Sequence, residues 1–513
     1  MNSSMICKVC QSSNVERRGT REKDGEEYAR LCCNECGKWS KALLSYDNIP
    51  EFERTEAELA KITKANTYLV TTVQNNTPLD QRFWKAIQRY AKHKKAQILV
   101  IPQLYKNPTA PGELASTDAW YPPEVVPYLI ENEIELFPGC RVMGDVKINA
   151  TALNPLTGFQ SVTGADSAIF GHAQIQMKMI ATPQNRLPKQ LLTTGSCSTK
   201  NYSRTPTGKK GDFNHSLGMV IVEKGTEGIF HMRSIVGDND SEFYDIDVHV
   251  TERGVKNSKA EAIVLGDEHV NTQCPDVKAA TFTDSDSIVN TCKPGYIVRH
   301  DVIDSYAVSH HHRMSPSIRF KKNLKGTDRL EDEMAETARH IEETTPKWAT
   351  SVVVPSNHHE HITRWLEEVD WRTEPWNAKV YHQMWAAWLE AIEKDEGFSP
   401  YVWWMRRNCK ADVMYLTNDY PFIIKGVYLG YHGDRGMNGA RGSLASFSKI
   451  GAKTITGHSH TPGIEKGGYA VGTSTYLSLE YTHGPSSWMN THCLIFPNGK
   501  RQLIHIIKGE WRG

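Results

Sequence analysis

The sequence predicts an α/β protein, in which an α/β sandwich with parallel-rich inner sheets follows an N-terminal zinc ribbon. Residues 67–102 contain an apolar strand, a helical segment and a second apolar strand, the pattern of a parallel crossover unit. From residue 262 to residue 455, short β-branched runs alternate with helical segments, which is typical of a parallel sheet covered by helices. The ribbon is predicted from four of the five cysteines in the first 36 residues.

Composition limits the classes of protein to which this chain can belong. Its 513 residues, 39% of them hydrophobic, can form two or three folding units and at least one large core. The 60 basic and 59 acidic side chains give a net charge of +1, so a nucleic acid would have to be bound by a local basic patch. No apolar run of about 18 residues and no signal-peptide pattern are present, and we expect a cytoplasmic protein with no membrane partner.

Two Cys-x-x-Cys pairs lie near the N-terminus, Cys7 with Cys10 and Cys33 with Cys36. Four thiolates at this spacing can bind one structural zinc ion tetrahedrally and stabilise a segment that has almost no core. Cys32 is an alternative ligand to Cys33, and two unrelated pairs of reduced cysteines are the competing interpretation. Basic residues between the pairs could contact phosphates, and the ribbon could equally bind a protein partner.

The chain divides into three predicted regions. Residues 1–45 form the ribbon, residues 46–255 form an α/β and strand-rich region that is part of the catalytic domain or packs on it, and residues 256–513 form the catalytic domain. The predicted strands span residues 67–73, 96–102, 218–222, 262–265, 296–298, 351–354, 426–429 and 454–455. The predicted helices span residues 79–93, 330–343 and 378–394, after a helix-permissive connector at residues 50–64.

Five polar segments in the C-terminal half predict a site for two divalent cations. They are Asp267-Glu268-His269, His300-Asp301-Val302-Ile303-Asp304, Asn357-His358, His432-Gly433-Asp434 and Gly457-His458-Ser459-His460. Most of them follow an apolar run, and ligands collect beyond the carboxyl ends of strands in α/β sheets. Carboxylate, amide and imidazole groups suit ions such as Mn²⁺, and alternate residues of an extended chain point the same way.

In their order and spacing, these segments resemble the motifs of the calcineurin-like metallophosphoesterase superfamily, over roughly residues 260–465. The resemblance implies that residues 256–513 are a domain of this kind that binds two metal ions, with Mn²⁺ favoured. The ligands it implies are Asp267, His269 and His460 for one ion and Asn357, His432 and His458 for the other, with Asp301 as the bridge. It also implies that His358 is the catalytic histidine that stabilises the transition state or protonates the leaving oxygen.

The sequence departs from the superfamily pattern beside two of these residues. His300 replaces the glycine that usually precedes the bridging aspartate. Ser356 and His359 flank Asn357-His358 where a glycine and an acidic residue are usual. The acid that orients the catalytic histidine is therefore missing from its usual place, and Asp304 and Glu360 are the two candidates to replace it.

Within the superfamily, the sequence favours a DNA nuclease. A zinc ribbon often accompanies nucleic-acid enzymes, and the segment from Gly457 to Pro462 resembles the double-strand-break repair nucleases. The whole chain, including residues 71–78 and 433–443, is similar to the pre-early nucleases with which certain lytic siphophages degrade host DNA. This resemblance implies a manganese-dependent deoxyribonuclease that acts on DNA in the bacterial cytoplasm.

Two other functions stay open from sequence alone. One is a nucleotidase, phosphatase or phosphodiesterase acting on small phosphoesters, and the other is a zinc-ribbon scaffold with a degenerate phosphoesterase site. The oligomeric state, a homo-oligomer included, is also open, as is the choice between endonuclease and exonuclease.

Several further segments have competing interpretations. His310-His311-His312 could reach a substrate phosphate or form a solvated loop. Residues 433–442 could wrap a nucleotide backbone through Arg435 and Arg441 or form a flexible turn. The basic run at residues 319–325 is typical of a solvated face. Tryptophans at helical spacing, residues 385, 388, 403 and 404, are predicted to lie in the core.

Overall fold

The computed structural model of the chain describes residues 15–23, 26–44, 54–105, 107, 119–418, 420–479 and 482–512. The fold is mixed α/β with several sheets that contain parallel pairs, so the predicted α/β class is confirmed, whereas the sandwich of the metallophosphoesterase type stays a prediction. Two compact units are present. The first comprises the described residues up to Met177 with residues 190–243 and 250–255, and the second comprises residues 178–189, 244–249 and 256–513. None of the described helices has the length and apolar character needed to cross a membrane.

Three strands near the N-terminus form an antiparallel sheet in the order β1-β2-β3. They are β1 (Val15–Lys23), β2 (Glu26–Cys33) and β3 (Trp39–Leu44). Cys33 and Cys36 lie at the turn between β2 and β3, where the Gly37 amide donates to the Cys33 carbonyl oxygen over 2.9 Å. Cys7 and Cys10 lie outside the described residues. The zinc ribbon therefore stays a prediction.

The predicted crossover unit is confirmed in the first unit of the structure. After helix α1 (Glu56–Ile62), the chain forms β4 (Thr67–Gln74), α2 (Gln81–Lys94) and β5 (Gln97–Gln103). The Asp80 side chain accepts a hydrogen bond from the Phe83 amide (2.9 Å) and begins α2, and Lys95 ends the helix in the left-handed conformation. Strands β4 and β5 pair in parallel along their whole length.

The segment that follows is rich in strands, as the sequence predicts for the region of residues 46–255. The elements are β6 (Glu133–Phe137), β7 (Cys140–Met143), β8 (Ser167–Phe170), β9 (Gln176–Ile180), β10 (Lys189–Thr193), α3 (Pro206–Asn214), β11 (Gly218–Lys224) and β12 (Phe230–Val236). Most of β9 and the first residue of β10 belong to the second unit. Strand β11 pairs antiparallel with β4 and with β12. Strands β7, β8 and β10 pair in parallel. The chain passes between the units near β13 (Phe243–Asp245), β14 (Val248–Thr251) and β15 (Gly254–Asn257).

The second unit contains a six-stranded sheet with a parallel centre. Its strands are β16 (Ala262–Val264), β17 (Tyr296–Arg299), β18 (Thr350–Val353) and β19 (Val413–Tyr415), with β25 (Thr491–Ile495) and β26 (Arg501–His505). The order is β19-β18-β17-β16-β25-β26, and the first four strands run parallel. Strands β25 and β26 are antiparallel to their neighbours.

A second group of strands in this unit consists of β20 (Ile423–Ile424), β21 (Val427–Tyr428), β22 (Lys453–Thr456), β23 (Gly463–Glu465) and β24 (Gly468–Ala470). Strands β21, β22 and β24 run parallel. The helices are α4 (Pro275–Lys278), α5 (Ile288–Cys292), α6 (Pro316–Lys325), α7 (Leu330–Thr344), α8 (Asn357–Glu368), α9 (Ala378–Glu393), α10 (Pro400–Asn408) and α11 (Leu444–Phe447).

Two apolar clusters stabilise the second unit. One packs residues of α7, α8, α9 and α10 against the segment that follows β17, and the other packs β16, β17, β25 and β26 against α4 and α5. Trp404 is buried in the first cluster, and Trp385, Trp388 and Trp403 pack against it. The prediction that these tryptophans lie in the core is confirmed.

Candidate metal centre

The five predicted segments all follow strands of the second unit. The segments 265–269, 300–304 and 354–358 follow the parallel strands β16, β17 and β18, and the segment 457–460 follows β22. Backbone hydrogen bonds continue beyond the ends of the strands. The His269 amide donates to the Asp301 carbonyl oxygen (2.7 Å), and the Gly457 amide donates to the His432 carbonyl oxygen (2.7 Å). The sheet edge therefore places these polar side chains side by side.

Asp267, His269 and His460 form the first group that could bind an ion, and all three are buried. Nε2 of His460 lies 3.0 Å from Oδ2 of Asp267 and 3.2 Å from Nε2 of His269. Neither carboxylate oxygen of Asp267 has a hydrogen-bond partner in the described structure, although the residue is fully buried. Burying a carboxylate whose oxygens have no hydrogen-bond partner costs free energy of folding unless a ligand binds it.

Asp301, His432 and His458 form the second group. Oδ2 of Asp301 lies 2.9 Å from Nε2 of His432 and 3.8 Å from Nε2 of His269, so Asp301 stands between the two groups. Oδ1 of Asp301 has no hydrogen-bond partner among the described residues. Asn357 is the first residue of α8, and its Oδ1 is likewise buried without a partner.

The two groups together contain two carboxylates, one amide oxygen and four imidazoles. This donor set suits divalent ions such as Mn²⁺, which accept oxygen and imidazole ligands. The open oxygens of Asp267, Asp301 and Asn357 provide the acceptors that a pair of cations needs. The residues present therefore fit a dimetal centre.

The charges of the centre depend on one another. Burial would raise the pKa of Asp301, but the neighbouring His432 and His358 hold it well below its usual range. Burial would lower the pKa values of His269 and His432, but hydrogen bonds and charge from Asp304 and Asp301 raise both to about 9. In the ion-free protein these imidazoles hold protons, so cation binding has to displace them.

Backbone conformation at the centre is strained. His269, Asp301, His458 and His460 have φ values of +39°, +41°, +67° and +54°, in the left-handed region that side chains larger than glycine rarely adopt. Such residues cost on the order of 1–3 kcal/mol each and cluster at functional sites. Four of the seven implied ligands share this strain, which indicates that the chain is bent to aim their side chains.

Gly457 makes room for the first group. A Cβ at this position would lie 2.2 Å from Oδ1 of Asp267 and 3.0 Å from the His300 ring. Contacts below 3.0 Å are essentially never observed for a Cβ, so only glycine fits beside the carboxylate. This close approach explains the glycine in the Gly457-His458-Ser459-His460 segment.

His358 lies beside the second group and is one-fifth exposed. Its Nδ1 donates to the Asp304 carbonyl oxygen (2.7 Å) and lies 3.3 Å from the Asp304 carboxylate, while its Nε2 lies 3.8 Å from Oδ2 of Asp301. Glu360 instead forms an ion pair with Arg435. Asp304, and not Glu360, is therefore the acid that contacts this histidine.

Asp304 also contacts an implied metal ligand, because its Oδ1 lies 3.2 Å from Nδ1 of His269. Burial would raise the pKa of Asp304, but the hydrogen bond and charge of His269 lower it to about 2. Carboxylates that contact the outer nitrogen of a metal-binding histidine fix its ring orientation and tautomer. One carboxylate thus positions both His269 and His358.

Two of the three residues that depart from the superfamily pattern, His300 and His359, have different environments. His300 is buried with its Nδ1 3.3 Å from Nδ1 of His432, and burial lowers its pKa to about 4. His359 points elsewhere, because its ring stacks on Tyr401 with centroids 4.1 Å apart. His300 therefore borders the centre, while His359 belongs to the helical core.

The remaining predicted segments differ in their surroundings. The basic run at residues 319–325 does not form one solvated face, because Lys322 is buried and donates to the Tyr306 carbonyl oxygen. Within residues 433–442, Arg435 and Arg441 pair through an isolated backbone bridge.

Two groups of functional interest escaped the sequence reasoning. His310 and His311 lie close to His361, and Glu268 forms a buried network with Arg299. The histidine run at residues 310–312 was visible in the sequence. Its partner His361 on α8 was not, because it lies about fifty residues away along the chain.

Comparison with known proteins identifies a relative of viral origin. Protein A1 of Escherichia phage T5 is 30% identical over 492 residues, which span 92% of this chain and 88% of that protein. Neither a protein-family profile nor a solved structure matches the chain. At this identity and coverage, the chain belongs to the family of phage protein A1.

Proposed function

We propose that this chain is a metal-dependent DNA nuclease that hydrolyses phosphodiester bonds at a two-metal site of the calcineurin-like phosphoesterase type. The observation that carries the proposal is the pair of buried carboxylates, Asp267 and Asp301. Both oxygens of Asp267 and Oδ1 of Asp301 lack hydrogen-bond partners among the described residues, and the two carboxylates lie among clustered imidazoles. We call the seven implied ligands the metal cage. A buried cluster of carboxylates and imidazoles of this kind is best explained by cation binding.

Two divalent ions, when bound, would lower the pKa of a water molecule and neutralise charge on the phosphate oxygens. The cage would hold them through the seven ligands named above, with Asp301 between them. Asp304 keeps the ring of His269 in a fixed orientation from outside the cage. The strained backbone at four ligands keeps the donors in place before substrate arrives.

His358 is suited to donate a proton to the leaving oxygen. Its Nδ1–H is held by the Asp304 carbonyl oxygen, so Nε2 is the nitrogen that faces the cage. The Asp304 carboxylate, 3.3 Å from Nδ1, helps to orient the ring, and the partial exposure of the side chain lets it meet a substrate. General acid catalysis of this kind contributes roughly 10²–10⁴-fold to the rate.

A groove lined by residues that follow Asp304 in the chain favours DNA over a small phosphoester. It encloses about 520 Å³, and Arg313, Arg319 and the partly exposed Trp376 line it beside the buried Lys322 and Trp365. The two arginines can contact phosphates, and the Trp376 ring can stack on a base. Two acids, Asp328 and Glu374, also line the groove, so the positive charge is local and modest. Kinship with a phage protein supports a phage-related function.

The direct test is cleavage by the full-length protein with Mn²⁺, using linear, circular and single-stranded DNA beside a chromogenic phosphodiester. We expect DNA cleavage that is lost together with bound manganese in His458→Ala. We expect His358→Ala to keep its manganese and to lose roughly 10²–10⁴-fold in turnover. His382→Ala, which changes an exposed histidine on α9, is the matched control and should behave as wild type.

Three outcomes would contradict the proposal. Cleavage of the small ester with intact DNA would point to a small-molecule phosphoesterase. Absence of bound manganese in the wild-type protein would point to a scaffold with a degenerate site. Full activity in the His458 variant would remove that residue from the site.

A further inference from the structure

His310, His311 and His361 form a third cluster of possible metal ligands, separate from the dimetal centre. One ring nitrogen from each residue lies within 4.8 Å of the others. The rings of His310 and His311 are 3.9 Å apart, and those of His310 and His361 are 4.8 Å apart. Unlike the two groups of the dimetal centre, this cluster contains no carboxylate.

His361 is the buried member of the cluster. Only 8% of its surface is exposed, yet its Nδ1 has no hydrogen-bond partner among the described residues. Nδ1 of His310 is buried without a partner as well. A buried imidazole nitrogen without a partner destabilises the fold, and a bound ligand would offset that cost.

The surrounding contacts hold the two halves of the cluster together. His310 and His311 lie in a 3₁₀ turn, and His361 lies on α8. On one side of the turn, the Ser305 hydroxyl donates to the His358 carbonyl oxygen of α8 (2.8 Å). On the other side, Arg313 pairs with Glu368 at the end of the same helix (2.8 Å). The approach of the three histidines is therefore fixed by contacts that do not involve them.

We propose that His310, His311 and His361 bind a zinc-class divalent cation that joins the 310–312 turn to α8. Imidazole-only sites favour zinc and similar transition metals over manganese, which prefers oxygen ligands. Zinc–nitrogen bonds of about 2.0–2.1 Å would draw the three nitrogens closer, and the exposed His311 side chain is free to rotate toward the other two. A water molecule would complete the tetrahedron.

This ion would restrict the movement of His358, the candidate catalytic histidine. His358 precedes His361 by one helical turn, and their rings lie 5.0 Å apart. The turn that supplies the other two ligands follows Asp304, which positions His358. The zinc site does not depend on the proposed nuclease activity, since it uses none of the residues of the dimetal centre.

The test compares two neighbouring histidines of the same turn in the full-length protein. His311→Ala removes a ligand, while His312→Ala is the matched control, because the His312 ring packs on Tyr306 and is not part of the cluster. The proteins are stripped with a chelator, loaded with Zn²⁺ and desalted, and their metal content is measured by mass spectrometry. Zinc bound at the cysteines or at the dimetal centre contributes equally to the metal content of both variants, so it does not affect the difference between them.

We expect His311→Ala to hold one zinc ion fewer per chain than both the wild type and His312→Ala. Loading with Co²⁺ should give visible absorption bands in His312→Ala that His311→Ala lacks, without a matching change in thiolate absorption. Equal zinc content in His311→Ala and the wild type would overturn the proposal. An equal loss in both variants would also overturn it, because the ligand set would then be wrong. Since His311 is exposed, both variants should fold.

Discussion

Two buried charged clusters, one around Glu268 and one around Asp267, start from adjacent residues of the chain. They differ in how many of their polar atoms have hydrogen-bond partners. Both oxygens of Glu268 accept hydrogen bonds from Arg299 (3.1 and 2.8 Å), and His340 lies 2.8 Å from one of them. Asp267, the preceding residue, is equally buried, but neither oxygen of its carboxylate has a hydrogen-bond partner in the described structure. The closed cluster stabilises the fold, whereas the open one is available for a ligand.

The closed cluster extends into the surrounding fold. Arg299 also donates to the hydroxyls of Ser351 (3.0 Å) and Thr344 (2.8 Å), so its guanidinium joins β17 to β18 and α7. Neighbouring residues of an extended chain point to opposite sides, which is how Glu268 turns toward Arg299 while Asp267 and His269 turn toward the cage. A buried ion pair is tolerated when all its polar atoms are paired, as they are here.

The largest expected effect comes from removing the Asp301 carboxylate from the metal cage. Asp301→Ala removes the carboxylate that stands between the two groups, and we expect loss of both ions and a fall in nuclease activity of more than about 10⁴-fold, since the ions would supply most of the rate enhancement. Metal analysis and a DNA-cleavage assay measure the two effects. The ion-free variant should unfold somewhat earlier than the ion-free wild type, because the buried His269 and His432 lose the carboxylate that stabilises their protonated rings. A variant that keeps its metal and its activity would remove Asp301 from the centre.

The second effect concerns the closed cluster. Glu268→Gln leaves the buried Arg299 guanidinium without its counter-charge, so we expect the free energy of unfolding to fall by about 3–5 kcal/mol, measured by denaturant titration. Glu331→Gln, at an exposed pair with Lys379, is the control and should leave stability unchanged. Metal content should be retained in the folded variant. Loss of metal without loss of stability would assign Glu268 to the centre and erase the distinction between the clusters.

The third effect is the pH dependence of stability. Burial would raise the pKa of Glu268, but the charge of Arg299 and the hydrogen bond from His340 lower it from 4.5 to about 2. A lowered carboxyl pKa stabilises the fold above pH 4.5 and ceases to do so as the pH falls toward 2, which amounts to about 3 kcal/mol. The difference in unfolding free energy between wild type and Glu268→Gln should therefore shrink on acidification. A difference that stays constant with pH would contradict the paired state of Glu268.

The smallest effect is expected at Asp304. Asp304→Asn keeps the shape of the side chain but removes the charge that faces His269 and His358, so we expect a 10–100-fold loss in turnover or metal affinity. Steady-state kinetics and metal titration measure the two quantities, since the Asp304 carboxylate contacts the rings of both histidines. Glu360→Gln is the control, since Glu360 pairs with Arg435 instead. An equal effect in both variants would remove Asp304 from its positioning role.

The comparison also shows which features can be predicted from sequence. Strand β4, helix α2 and strand β5 follow from apolar periodicity, and the ligand segments follow from their position after strands such as β16 and β22. These features depend on residues close together in the chain. Periodicity cannot show that Arg299 and not solvent meets Glu268, because the two residues are joined only when β16 and β17 pair.

The choice between Asp304 and Glu360 was open for the same reason. The two acids lie at similar distances in sequence from the motif residues, and only the fold brings Asp304 against His358 while Arg435 engages Glu360. The third histidine cluster was also hidden, because His361 meets His310 and His311 through the packing of a turn on α8.

The central claim is that the open cluster is a dimetal centre, and a crystal grown with Mn²⁺ and measured at the manganese absorption edge tests it most directly. The account predicts two anomalous peaks about 3.5–4 Å apart, with Asp301 in contact with both. One peak would come with Asp267, His269 and His460, and the other with Asn357, His432 and His458. A map without a peak beside Asp301, or with manganese bound only elsewhere on the chain, would contradict it.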